Sequence, residues 1–156
     1  MLVWFLIVIA VVIVLIFITI NNKGESVASQ VGKAEQENMG NSQQVEGVKI
    51  TILEEGNGNM AKLGDTVAMN YTGRLTDGTV FDSNVDPKFG HVEPLIFTIG
   101  EGRVIKGWEV GIAGMAEGEK RTLEIAPEFA YGETGIGPIP PNATLLFEVE
   151  LLQIKK

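Results

Sequence analysis

Val104-Ile105-Lys106-Gly107-Trp108-Glu109-Val110-Gly111-Ile112-Ala113-Gly114-Met115 is the stretch that decides the fold, because it alone breaks the strand rhythm of its surroundings. Val104, Ile105, Trp108, Ile112 and Met115 recur at spacings of one, three, four and three, the apolar stripe of a helix. Gly107, Gly111 and Gly114 interrupt it, each costing about 1 kcal/mol relative to Ala. A helix so weakened needs tertiary support, and small residues on it suit a close approach to a sheet.

Outward from this stretch the chain is rich in short β-type runs separated by Gly, Asp and Asn. Val48-Lys49-Ile50-Thr51-Ile52 alternates clearly and Thr66 to Tyr71 less so. Thr79-Val80-Phe81 follows Thr76-Asp77-Gly78, whose Asp-Gly pair is a hairpin-turn signal. Leu95 to Ile99, Lys120 to Ile125 and Thr144 to Ile154 add three runs, and Leu145 to Leu152 is long enough for a central strand. The pattern predicts an α+β domain, a bent antiparallel sheet wrapped on one helix.

The N-terminus is of another kind. Met1 to Ile20 carries no charge and one polar side chain, Thr19. As a helix of ~1.5 Å per residue it would span roughly 30 Å, the thickness of bilayer hydrocarbon. Two readings fit: a retained transmembrane helix, or a secretory signal cleaved at Ser26-Val27-Ala28, near Ala28. The length of the apolar run and the absence of a leading Lys or Arg favour the anchor. Lys23 and Lys33 follow the span, a weak cue for a cytoplasmic domain, whereas N-terminal hydrophobic segments commonly serve export; the extracytoplasmic side is the preferred expectation. Asn21 to Gln44 is polar and without aromatics, and reads as a flexible tether with a reach of roughly 25–30 Å. Residues 45–156 form the folded domain.

The net charge is −8, of which residues 21–44 contribute −1 (two basic, three acidic) and residues 45–156 contribute −7 (ten basic, seventeen acidic). Such a chain does not suit phosphate backbones, so no nucleic acid is expected as a partner. The absence of Cys excludes disulfides and cysteine catalysis. No His, Cys or carboxylate cluster suggests a metal and no Gly-rich loop has phosphate-binding spacing, so no cofactor is expected. His91, the single histidine, reads as a solvated loop residue in preference to a metal ligand or general base. Glu117, Glu119, Glu124 and Glu128 read as a solvated face. By residue type alone, Asp82 is a turn former or cap and Trp108 a core residue.

Five motifs in order change the reading of those last two residues. They are Tyr71-Thr72-Gly73 with Asp77-Gly78; Phe81-Asp82-Ser83; Val104-Ile105-Lys106-Gly107-Trp108-Glu109; Ala130-Tyr131-Gly132; and Ile139-Pro140-Pro141-Asn142-Ala143-Thr144-Leu145 leading into Phe147-Glu148-Val149-Glu150-Leu151. From about Val48 to Ile154 the chain resembles the FKBP-type peptidyl-prolyl cis-trans isomerases. The resemblance implies a five- or six-stranded antiparallel half-barrel around a short helix, with an apolar pocket between them. It implies that the pocket is lined by Tyr71, Phe81, Asp82, Val104, Ile105, Trp108, Tyr131, Ile139 and Phe147, with Phe97 beneath.

By the same resemblance Trp108 is the floor for a proline ring, and the Ile105 N–H and Tyr131 hydroxyl are donors to substrate carbonyls. Asp82 either orients Tyr71 or meets the twisted carbonyl. The implied activity is X-Pro isomerisation in polypeptides, assisting the folding of exported or membrane proteins, with macrolides as possible inhibitors. A tethered chaperone or non-catalytic proline-binding module, and a structural tether with a vestigial pocket, are the alternatives. Two departures fall on the pocket rim. The Asp82–Pro94 loop is longer than in small family members, with Leu95 where they commonly carry an aromatic. Gly135-Ile136-Gly137-Pro138 is slightly shortened and lacks the histidine often found there.

Overall fold

The computed structural model describes residues 42–155. The apolar segment and the tether up to residue 41 lie outside the described residues, so the anchor reading does too. Among the described residues no helix is long and apolar enough to cross a membrane.

Among the described residues seven strands form one antiparallel sheet: β1 (Ser42–Val45), β2 (Val48–Glu54), β3 (Thr66–Leu75), β4 (Val80–Ser83), β5 (Leu95–Thr98), β6 (Lys120–Ile125) and β7 (Leu145–Lys155). Their order is β1-β2-β6-β7-β3-β4, with β5 sharing the outer side of β3. A half-barrel of five or six strands was expected. The difference includes β1, whose Ser-Gln-Gln-Val has no apolar alternation and whose first three residues, Ser42 to Gln44, fall in the stretch expected to be tether. It pairs with β2 through a tight turn at Glu46-Gly47, both at positive φ, and Thr51 Oγ1 donates to Ser42 Oγ at 3.2 Å. The fold therefore begins at least three residues before Val45.

Residues paired across an antiparallel ladder share a face. The register runs Ile50–Leu123–Phe147–Gly73 across β2, β6, β7 and β3, and continues to Asp82 on β4. One row of the sheet thus leads from the core to the carboxylate singled out by sequence. A parallel row joins Val48, Ile125 and Leu145. Register shifts at Ala68/Met69 and at Gly73/Arg74 bend β3.

The helix α1 (Lys106–Ile112) lies across β2 and β6. Its glycines explain how so short a helix docks. A Cβ at Gly107 would stand 2.3 Å from Ile125 Cγ2, and one at Gly111 would stand 2.7 Å from Leu123 Cδ1. The side chains that a normal helix would bring here are replaced by sheet residues. Gly114 follows the helix at φ 80° and serves the turn instead. Trp108, Ile112 and Met115 point into the core formed with Val48, Ile50, Val67, Met69, Leu123, Ile125, Leu145, Val149 and Leu151.

Two of the glutamates read as solvated are engaged. Glu119 is 3 % exposed and paired with Arg121, itself 4 % exposed. Arg121 donates to the carbonyls of Gly111 (2.9 Å) and Gly114 (3.0 Å), and Glu119 accepts the Ala116 N–H at 2.8 Å. The pair closes the C-terminal end of the helix, where carbonyls lack intrahelical donors. Glu117 accepts from the Asn59 and Ile154 backbone. Sequence spacing marks neither: the partners of Glu117 come from distant segments, and those of Glu119, though near in the chain, are buried with it only by the packing of the helix end.

Candidate active site

The site is built on the N-terminal half of α1 and the strands it faces. Trp108, 3 % exposed, is at the centre of an aromatic cluster. Its ring centroid lies 5.3 Å from Tyr71 and 5.3 Å from Phe147, both near perpendicular, and 5.9 Å from Phe97. Phe81 meets Phe147 edge-on at 5.5 Å. Edge-to-face contacts of this kind hold rings in fixed orientations. The indole N–H of Trp108 is buried and has no hydrogen-bond partner among the described residues.

Gly73 makes this arrangement possible. A Cβ there would stand 2.6 Å from the Phe81 ring and 2.8 Å from that of Phe147. Its neighbour Tyr71 on the same face of β3 donates its hydroxyl to Asp82 Oδ2 at 2.7 Å, and Oδ1 of Asp82 accepts the Ser83 N–H at 2.9 Å. Burial above all, and then the bond to Asp82, push the Tyr71 phenol well above the ordinary tyrosine range, so it stays a proton donor. Burial and then the charge of Asp82 raise Tyr131 as well, which places Tyr131 within the field of that carboxylate.

Val104 and Ile105 are half-buried and pack on the aromatic core together with Tyr131. Ile105 precedes the helix in extended conformation, its carbonyl accepting from the N–H groups of Trp108 (2.9 Å) and Glu109 (3.3 Å). The loop before it is tied down by Glu109, whose carboxylate accepts the N–H groups of Gly100 and Gly102. Ile139 is 6 % exposed and closes a short turn with Ile136 through N–H···O bonds of 3.0 and 2.8 Å. The ten residues picked from sequence therefore converge: Tyr71, Phe81, Phe97, Val104, Ile105, Trp108, Tyr131, Ile139 and Phe147 belong to or pack on one core, and Asp82 is bonded to Tyr71. Phe97, Trp108, Ile139 and Phe147 are the buried members; the others are half-exposed. A recess of about 60 Å³, lined by Asn70, Thr72, Lys120 and Glu148 together with Tyr71, Val85 and Val149, shares Tyr71 with this cluster.

Residues 57–152 match a known domain family, described as FKBP-type peptidyl-prolyl cis-trans isomerase. The chain belongs to that family. Among curated relatives, FK506-binding protein 2 of Aspergillus fumigatus is 54 % identical over 110 residues, covering 70 % of this chain and 78 % of that protein. FK506-binding protein 1 of Dictyostelium discoideum is 52 % identical over 110 residues, covering 70 % of this chain and 99 % of that protein. FK506-binding protein 4 of Aspergillus fumigatus is 50 % identical over 112 residues, which is 72 % of this chain but only 22 % of that protein.

Within this FKBP domain, three residues of the site escaped the sequence reading. Gly73 was part of a motif without an assigned role. Asn84 is 2 % exposed and ties the Asp82–Pro94 loop to β3: it accepts the Tyr71 N–H (2.7 Å) and donates to the carbonyls of Met69 (2.9 Å) and Glu93 (3.1 Å). His91, expected to be merely solvated, is brought to Asp82 and Tyr71, with Nε2 3.1 Å from Asp82 Oδ1. Its side chain remains 48 % exposed. No local pattern marks His91, because its approach depends on how an entire loop folds back.

Proposed function

We propose that this FKBP domain accelerates rotation about X-Pro bonds in polypeptides, using the aromatic cluster as its binding wall. The observation that carries the reading is the Trp108-centred cluster with the Tyr71–Asp82 pair at its edge. Rotation of a peptide bond breaks amide resonance, at a barrier of ~18–20 kcal/mol. No bond is cleaved, so no nucleophile is required. The planar amide separates more charge than the twisted one, and an apolar wall that removes water raises the planar state relative to the transition state.

Each ~1.4 kcal/mol taken from the barrier is tenfold in rate, so about 5 kcal/mol brings tens of seconds toward milliseconds. In this reading Trp108 supports the proline ring, and Phe81, Phe97, Val104, Ile139 and Phe147 complete the wall. The Ile105 N–H and the Tyr131 hydroxyl donate to substrate carbonyls, binding the twisted geometry better than the planar one. Asp82 holds the Tyr71 ring in place and presents its carboxylate to the twisted carbonyl carbon.

The test is an X-Pro isomerisation assay with and without a macrolide. Acceleration that the macrolide abolishes supports the reading. Macrolide binding without acceleration instead supports a proline-binding module or chaperone, and the lack of both binding and acceleration supports a structural tether. The apolar composition of residues 1–20 further supports anchoring at a membrane, with exported or membrane proteins as clients and the domain on the extracytoplasmic side. Protease accessibility of the domain in intact cells and in spheroplasts tests that placement.

A further inference from the structure

The loop from Asp82 to Pro94 turns back over the edge of the site. Asp86 accepts the Lys88 N–H at 3.1 Å and starts a single 3-10 turn, Pro87–Phe89; Gly90 at φ 78° then reverses the chain. Asn84 holds the far side through the Glu93 carbonyl. His91 is thereby placed with Nδ1 3.1 Å from the Phe89 carbonyl oxygen, and with Nε2 3.1 Å from Asp82 Oδ1 and 3.4 Å from the Tyr71 hydroxyl.

A carbonyl and a carboxylate have no proton to offer. Each contact is a hydrogen bond only when the ring nitrogen supplies the proton. A neutral imidazole has one N–H, so it satisfies one of the two acceptors and turns a lone pair toward the other. Only the imidazolium satisfies both. The Tyr71 hydroxyl, whose own proton is given to Asp82 Oδ2, has lone pairs free to share the Nε2–H.

Resting on the isomerase reading above, we propose that His91 is a positioning residue for the reaction: as the imidazolium, anchored on the Phe89 carbonyl, it braces Asp82 and through Asp82 the Tyr71 ring, and when neutral it keeps only one of these two contacts, so that the brace weakens. The other groups around it do not replace it. Lys88 pairs with Asp86 at 2.9 Å and lies over the Phe89 ring, Glu93 is exposed, and Tyr71 and Tyr131, the phenols of the site, carry no positive charge. The His91 and Asp82 side chains are 48 % and 39 % exposed, so the pair contributes little to global stability. Its effect belongs to the geometry of the site.

The full chain in detergent micelles serves for the test. The X-Pro kcat/KM of the parent and of His91→Gln is measured from about pH 5.5 to about pH 8, the range in which imidazoles titrate. The parent is expected to lose about threefold as pH rises, the size expected for an exposed pair, while His91→Gln stays level. Its melting temperature stays within about 2 °C of the parent. Because His91 is the single histidine, its ring N–H signals are identified directly by NMR. At acid pH the hydrogen-bonded Nε2–H is expected to move to its free position in Asp82→Asn. Ring signals unaffected by Asp82→Asn, or a parent pH profile matching that of His91→Gln, overturn the brace. No turnover at any pH, with the His91–Asp82 contact intact by NMR, overturns the isomerase reading and this role with it.

Discussion

The two ends of α1 differ in how their polar groups are settled. At the C-terminal end, buried Arg121 and Glu119 satisfy the turn with hydrogen bonds to Gly111, Gly114 and Ala116. At the N-terminal end, Ile105 has no side-chain cap, and half-exposed Val104, Ile105 and Tyr131 gather over the aromatic cluster. One end is closed by internal partners and the other carries the half-exposed residues that the proposed isomerase site uses. A binding wall works best when its support cannot move, and seven residues of helix gain that support from one end and from the sheet below.

The largest break in this contrast is Arg121→Ala. It leaves the buried Glu119 carboxylate unpaired and two carbonyls without donors, and should cost about 3–5 kcal/mol, read from urea denaturation. Catalysis should fail only in proportion to the unfolded fraction. Next, Gly107→Ala places a methyl against Ile125, an overpacking of about 1–3 kcal/mol that tips the helix and should lower both melting temperature and turnover.

At the open end the effects should separate. Asp82→Ala is expected to lower kcat/KM about tenfold, or ~1.4 kcal/mol, with a smaller change in stability. Equal losses in both would place Asp82 in the supporting structure instead. The smallest effect is alkaline. The fold favours the neutral Tyr71 phenol, raising its ionisation above that of the unfolded chain, which lies near about pH 10. Below that pH both states hold the proton and the contribution is complete. As pH rises above about 10, the unfolded chain loses its proton first and stability declines. Tyr71→Phe should remove part of that decline, measured as urea midpoints between about pH 9 and about pH 11.

Much of the domain was legible because it is written in periodic patterns. The stripe through Trp108, Ile112 and Met115 marked the helix, alternation in Val48 to Ile52 marked β2, and the length of the apolar-rich run Leu145 to Leu152 marked β7. The Asp77-Gly78 turn is present as read, with Gly78 at φ 88° and Asp77 accepting the Thr79 N–H at 2.8 Å. Ser42–Val45 was not legible, since a polar edge strand has no buried face to impose a period. Glu119 was not legible either; a glutamate beside Lys120 on an exposed-looking run says nothing of a buried arginine reached from the same strand.

By itself, then, the sequence determined the α+β class and the position of the helix, because apolar spacing and glycine placement are local and survive in one dimension; the residues that converge on Trp108 were marked by the resemblance of five ordered motifs to the FKBP family. Tertiary structure alone decided that Gly73 clears space for Phe81 and Phe147, that Arg121 closes the helix, and that His91 reaches Asp82. Those facts depend on which strands lie side by side and where a long loop returns. Hydrogen bonds and steric contacts between residues distant in the chain take their meaning from that arrangement.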